Sequence, residues 1–219
     1  MAISLPNGAT LSASTLLATA LAFSEISNAE NAIVTLEDTH TLKTGDVVLI
    51  KSGWSGINQL VTEIEVTGDQ ITLKGVDTSN TNRFNEGGGI GSIQKIEGWT
   101  EISQIKDIDF SGGEQQTTEV QFLSDDKARQ INTYKSPKAV KLTIVHDSTL
   151  PFYPLMRKAD ESQAIHAIKM YVPKASENRY FAGTISFDDT PTSKQNEAET
   201  ISAGINVESS RLTFHKYSE

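Results

Sequence analysis

Residues 45–78, GDVVLIKSGWSGINQLVTEIEVTGDQITLKGVDT, decide how the rest of the chain is read. Leu60, Thr62, Ile64 and Val66 share one parity, and Val61, Glu63, Glu65 and Thr67 share the other. Successive side chains of a strand point to opposite faces, so this period of two predicts a half-buried strand. Gly68-Asp69 interrupts the run, and Ile71 and Leu73 restart it opposite Thr72 and Lys74. Two alternating runs around a Gly-Asp pair predict a β-hairpin, because glycine takes the positive φ of a tight turn. Upstream, Val47-Val48-Leu49-Ile50 is a continuous apolar run of strand length, which predicts a strand buried on both faces.

Working outward, residues 77–92 are polar, and four of them are glycine, which predicts a long irregular connection. A boundary near residue 97 divides the chain into 1–97, an N-terminal arm and small β module, and 98–219, a core β domain. Residues 12–23 fit either a short helix capped by Ser12 or Ser14 or an extended arm. Ile102, Ile105 and Ile108 are spaced by three, yet the β-branched composition favours a strand pair between Trp99 and Leu123, broken at Ser111-Gly112-Gly113. Residues 124–138 read as a polar loop and Ala139–Val145 as a strand. Asp147 or Ser148 is the expected N-cap of a helix over 149–161, with Pro151 in its first turn and Leu155, Met156 and Ala159 as its apolar stripe. Ile165–Val172 and Tyr180–Phe187 read as strands, and Asp188–Glu197 as a polar loop. In the last strand the apolar parity of Ile201, Ala203, Ile205 and Val207 switches at Leu212 and Phe214, which predicts a bulge near 208–211. The fold class is mainly β with one flanking helix.

The 219 residues, 37% hydrophobic and 21% charged, are enough for one large or two small globular domains. A net charge of −9 disfavours general attraction to nucleic acid or anionic membrane. With no cysteine, disulfides and thiolate chemistry are excluded. Leu16–Phe23 is apolar, but the first basic residue is Lys43, so a secretory signal is not expected. No apolar run approaches the roughly twenty residues of a membrane helix.

Little chemistry emerges. The histidines at 40, 146, 166 and 215 share no ligand spacing and read as surface or strand residues. Ser55 in G-W-S-G-I lacks the second glycine of a nucleophile elbow. Gly87-Gly88-Gly89-Ile90-Gly91-Ser92 lacks the lysine of a phosphate loop and reads as a flexible or positive-φ loop. Asp107-Ile108-Asp109 opens like a calcium loop, but Thr118 stands where the bidentate glutamate belongs. Trp54, Trp99 and Tyr153 are the candidates for an aromatic sugar platform, and they fall in separate segments. No metal, cofactor or catalytic constellation is expected.

Charge patterning is more informative. Residues 1–97 carry 11 acids and 5 bases, net −6, and residues 98–219 carry 17 and 14, net −3. Lys127, Arg129, Lys135, Lys138 and Lys141 form a stretch without an acid, whereas Asp188, Asp189, Glu197 and Glu199 flank a single Lys194. Oppositely charged loops on one β scaffold suit head-to-tail association.

Taken in order, T-G-D-V-V (44–48), S-G-W (52–54), G-V-D-T (75–78), N-R-F (82–84), G-G-G (87–89), G-W-T-E-I-S-Q-I (98–105), S-G-G-E-Q-Q (111–116), D-D-K-A-R-Q (125–130) and L-P-F-Y-P-L-M-R-K-A-D-E (150–161) resemble the major tail tube proteins of long-tailed, siphovirus-type bacteriophages. The resemblance implies a structural virion protein with a tail-tube β-sandwich or barrel at about 98–215. Six copies would join into a ring, and rings would stack into a hollow tube through which DNA passes without specific binding. The implied partners are further copies, tape measure, tail tip or initiator and tail terminator proteins, and no membrane. The implied location is the virion tail, reached from the host cytoplasm. Within that picture Asp125, Asp126, Lys127, Arg129, Lys135 and Lys138 are the expected contacts between stacked rings, and Asp188, Asp189, Glu197 and Glu199 their acidic partners. The alternatives are a carbohydrate- or host-binding β module and a tube subunit of a contractile injection or secretion system.

Overall fold

The computed structural model describes residues 7–37 and 39–217, so the first six residues of the expected arm lie outside the described residues. The chain begins with β1 (Thr10–Leu17), β2 (Leu21–Ile26), β3 (Ile33–Leu36), β4 (Val47–Ser52), β5 (Leu60–Thr67), β6 (Gln70–Leu73) and β7 (Gly91–Ile102). Residues 12–23 are thus extended, not helical. The expected hairpin is β5–β6, with Thr67 opposite Gln70 and Gly68 at φ 61° in the turn.

Strands β2, β3, β6, β5, β4 and β7 pair in that order, and β2 also pairs with β7. The pairing therefore closes on itself as a small antiparallel barrel, which leaves no free edge among these strands. Phe23, Val34, Val48, Ile50, Leu60, Ile64, Ile71, Leu73 and Ile93 fill it. Burying each such side chain stabilises by about 1.5–3 kcal/mol. Leu49 of β4 points the other way, into a second cluster, so the double burial of 47–50 is observed.

The glycine-rich 77–92 connection is irregular, as expected, but held in place. Asn28 Nδ2 donates to the carbonyls of Thr78 and Phe84 at 2.9 and 2.8 Å, and Trp54 Nε1 donates to the Asn85 carbonyl at 2.9 Å. Its glycines mostly serve close approach. A Cβ on Gly89 would lie 2.3 Å from Ile26, and one on Gly91 would lie 1.9 Å from the Lys51 carbonyl oxygen.

The second half supplies β8 (Ile105–Ser111), β9 (Gln115–Val120), β10 (Arg129–Lys135), β11 (Lys138–Val145), α1 (Phe152–Ser162), β12 (Ile165–Val172), β13 (Glu177–Thr192), β14 (Thr200–Val207) and β15 (Thr213–Lys216). The large sheet runs β7-β1-β12-β13-β14-β11-β8. Residue 97 lies within β7, whose first half pairs with β4 in the barrel and whose second half pairs with β1 in the sheet. The sheet buries one face on α1, through Phe152, Tyr153, Met156 and Ala159 packed with Leu142, Ile168, Phe181, Ile185 and Ile205.

Several expectations are corrected. The strands between Trp99 and Leu123 exist but pair elsewhere, β8 with β11 and β9 with β10. A register shift between Thr143 and Ile144 absorbs one residue of β8, so both Ile105 and Ile108 reach the core despite their odd spacing. Residues 129–135 of the expected 124–138 loop are strand, and β13 continues to Thr192, into the expected 188–197 loop. The helix starts at Phe152 with Pro151 as its N-cap, and no side chain caps it. Asp147 instead closes the preceding turn, accepting the Thr149 amide and hydroxyl at 3.0 and 2.6 Å. The expected bulge at 208–211 is a full break between β14 and β15, which pair with successive parts of β13. After it Thr213 and His215 face inward and Phe214 is exposed, because polar partners await them on the barrel.

Candidate assembly surface

The outer face of the large sheet is divided in two. Over its β12 and β13 portion lies the barrel, joined through Leu49, Val61 and Ile96 against Ala167, Tyr180 and Ala182. Further along, the register of β13, β14, β11 and β8 places Thr184, Ser186 and Asp188, then Ser202, Gly204 and Asn206, then Lys141 and Thr143, then Asp107 and Asp109 on that same outer face. All are exposed or half-buried. The alternate residues, including Ile185, Ala203, Leu142 and Ile108, face the helix-side core. This half of the face is small, polar and weakly acidic. Beyond β11, among the described residues, β8 pairs on one side only, so the sheet ends in an open edge. Unpaired backbone groups on such an edge are a template for another strand.

The second feature is the β9–β10 ribbon. Among the described residues its strands pair only with each other, as a separate two-stranded sheet. Every residue of β10 and all but one of β9 are exposed. A two-stranded ribbon is marginal in water without a surface to rest on. At its foot, Gly112 and Gly113 take φ of 80° and 84°, and a Cβ on Gly112 would lie 1.9 Å from the Pro137 carbonyl. Glu114 accepts the Ser136 hydroxyl at 2.6 Å, which holds its carboxyl below the usual range.

Five of the residues singled out from sequence belong to this ribbon, and a sixth, Lys138, stands at its foot. Asp125, Asp126 and Lys127 lie in its tip beside exposed Phe122 and Leu123, Arg129 and Lys135 bound β10, and Lys138 opens β11. Arg129 lies 3.7 Å from Asp125. The acidic set is elsewhere: Asp188 and Asp189 sit on β13, with Glu197 and Glu199 just before β14. Asp189 accepts from Arg157 Nε at 2.9 Å, and Glu199 accepts from Ser193 at 2.6 Å. Among the described residues no salt bridge joins the basic set to the acidic set within the chain.

The sequence pattern of the family described as phage tail tube protein, TTP, matches residues 52–216. The chain belongs to this family. The match runs from the end of β4 through β15. It establishes a structural tail tube protein, one that self-assembles into a tube, associates with other tail proteins and resides in the virion tail. A comparison with curated protein sequences finds no match.

The tail tube fold also contains a polar seam that sequence reasoning missed. Between β14 and β15 the Ala182 amide donates to Ser209 Oγ at 3.0 Å, filling the break in the sheet. The next residues reach across to the barrel. Ser210 donates to the Gly56 carbonyl at 2.6 Å, Arg211 to that of Gly75 at 3.1 Å, and Thr213 to that of Val61 at 2.6 Å. Tyr180 donates to Glu63 at 3.1 Å. Burial and the adjacent Glu63 carboxylate push the Tyr180 phenol well above its ordinary range, so it remains a donor. The only sequence signal was a mixed-polarity strand, T-F-H-K, next to the apolar β14.

Trp54 lies in the barrel, Tyr153 beneath the sheet and Trp99 half-buried at the junction, so the three are not brought together as a platform. Asp107 and Asp109 occupy alternate positions of β8 on the polar outer face.

Proposed function

We propose that this tail tube subunit forms six-membered rings by joining the β13-β14-β11-β8 sheets edge to edge, with their small polar outer faces lining the lumen. The single observation that supports this most is the bare half-face itself. An exposed sheet surface with almost no apolar side chain suits contact with water and moving DNA rather than with another protein core. Its acids, Asp107, Asp109 and Asp188, outnumber Lys141. A weakly acidic wall repels phosphates and lets DNA slide, whereas a basic wall would gain affinity with each phosphate neutralised.

Rings stack, in this reading, through the β9–β10 ribbon. Lys127, Arg129 and Lys138, with Lys135 and the acids Asp125 and Asp126, meet Asp189, Glu197 and Glu199 of an adjacent ring, while Asp188 belongs to the lumen face. A ribbon with no strand partner beyond itself among the described residues supports this, since assembly would supply the missing surface. Tape measure, initiator and terminator proteins set length and ends, and assembly takes place in the host cytoplasm before DNA delivery. Electron microscopy of the purified chain at rising concentration, alone and with tail-initiating proteins, tests the reading. Six-fold rings or tubes with an open lumen support it, and a monodisperse monomer under every condition contradicts it.

A further inference from the structure

A groove of about 610 Å³ lies beside the open edge of β8. Ile105, Ile108 and Phe110 border it from β8, and Val172 borders it from the end of β12. Asn7, Gly8 and Ala9, where the described chain begins, also line it. The register of β1 leads into this groove. Ala13 pairs with Thr100, Ser12 with Glu101 and Leu11 with Ile102, so each step back along β1 answers one step forward along β7. Carried on past Ile102, the same register sets Leu5 opposite Ile108 and Ile3 opposite Phe110. Directly opposite residues of an antiparallel pair share a face. Leu11, Ala13 and Ile102 face the helix-side core, with Ile108 packed against it. Ile3 and Leu5 have the parity of Leu11 and Ala13, so in this register they would cover Ile108 and the exposed Phe110.

The bend between β7 and β8 is matched on the opposing strand. Gln104 has a φ of 60° and Gly8 a φ of 82°, and the register sets them one position apart, so both strands turn at the same level. Residues 1–6 lie outside the described residues. Six extended residues reach about 20 Å, enough to follow β8 from Ile105 to Phe110. Pro6 has no N–H to donate, which suits an outermost strand whose far side meets water. We propose that residues 2–6 of this chain continue β1 along β8, fill the groove with Ile3 and Leu5, and cover the open edge in the free subunit. An open edge is a template for any passing strand, and a segment tethered at Asn7 reaches it ahead of one from solution because its effective concentration is higher. The consequence for assembly rests on the proposed joining of rings edge to edge: the cover keeps that edge shut until it is displaced.

The test is a disulfide across the expected pairing, in a full chain that otherwise has no cysteine. Ser4 falls opposite Asp109 on the outer face, and opposite residues of an antiparallel pair are close enough to bridge. Ser4→Cys with Asp109→Cys, oxidised mildly in dilute solution, is expected to close within one chain and run as a monomer on a non-reducing gel. No disulfide, or disulfides that only join two copies, overturns the proposal. The same variant separates this from the ring reading. Its reduced form should assemble and its oxidised form should not; equal tube growth by both would contradict joining through β8 and leave the cover standing. If the variant does not fold, hydrogen exchange of the unaltered subunit decides. The β8 amides that do not donate to β11 are expected to be slowed roughly tenfold or more relative to an unstructured peptide, and exchange at the unstructured rate overturns the proposal.

Discussion

The Tyr180 hydroxyl donates to Glu63 Oε1 at 3.1 Å across the junction of barrel and sheet. Glu63 is central to β5 and Tyr180 lies near the start of β13, and the bond ties the two parts where these strands share no backbone pairing. Tyr180→Phe leaves the largely buried Glu63 carboxylate without that donor. The expected loss is about 1–3 kcal/mol in urea unfolding, with the same denaturant slope.

The barrel closure makes a sharper prediction. Gly68 and Gly91 are both glycines of the barrel, but for different reasons. Gly68→Ala meets nothing within 4 Å and suffers only its φ of 61°, which costs about 1–2 kcal/mol. Gly91→Ala puts a methyl 1.9 Å from the Lys51 carbonyl and forces β4 from β7. It should lose more than about 4 kcal/mol. Thermal melts of the two variants rank them, and equal melting points would contradict closure at β4–β7.

The ribbon predicts a separation of folding from assembly. Lys127→Glu, Arg129→Glu and Lys138→Glu combined should leave the melting curve within about 0.5 kcal/mol per site, because surface changes of this kind are near neutral. Tube growth should stop. Normal-length tubes by electron microscopy would remove these residues from the ring contact.

Acid should also act on local turns. The Asp77, Asp147 and Asp188 carboxyls are held below the usual range, chiefly by hydrogen bonds from Ser79, Thr149 and Thr190. Carboxylates with depressed values stabilise the fold above about pH 4 and lose that contribution as pH falls through them. Thr149→Val should bring the Asp147 midpoint back toward its ordinary value by NMR titration, because both the hydroxyl bond and the turn geometry it supports are removed.

Much of this architecture is legible in the residues, for physical reasons. The Leu60–Leu73 hairpin follows from period two and one glycine, and the double burial of 47–50 from its unbroken apolarity. Closure into a barrel is not legible, because alternation says which face is buried but not which strands are neighbours. Strand β10, RQINTYK, has no buried residue, so no hydrophobic period marks it and only backbone pairing with β9 makes it a strand. The seam was hidden for the opposite reason. Thr213 and His215 are buried polar residues, and Phe214 between them is exposed, so apolar parity reads β15 with the wrong face inward. The charges of the ribbon and of the 188–199 acids were visible at once, but their placement on separate surfaces was not.

An electron cryomicroscopy reconstruction of the assembled tube tests the central claim most directly. The account predicts six copies per ring, with β8, β11, β14 and β13 joined edge to edge and Lys141, Thr143 and Ser202 facing the channel. It also predicts the β9–β10 ribbon resting on the next ring. A tube whose channel is lined by the barrel, or whose β13-β14-β11-β8 face points outward to solvent, would contradict it.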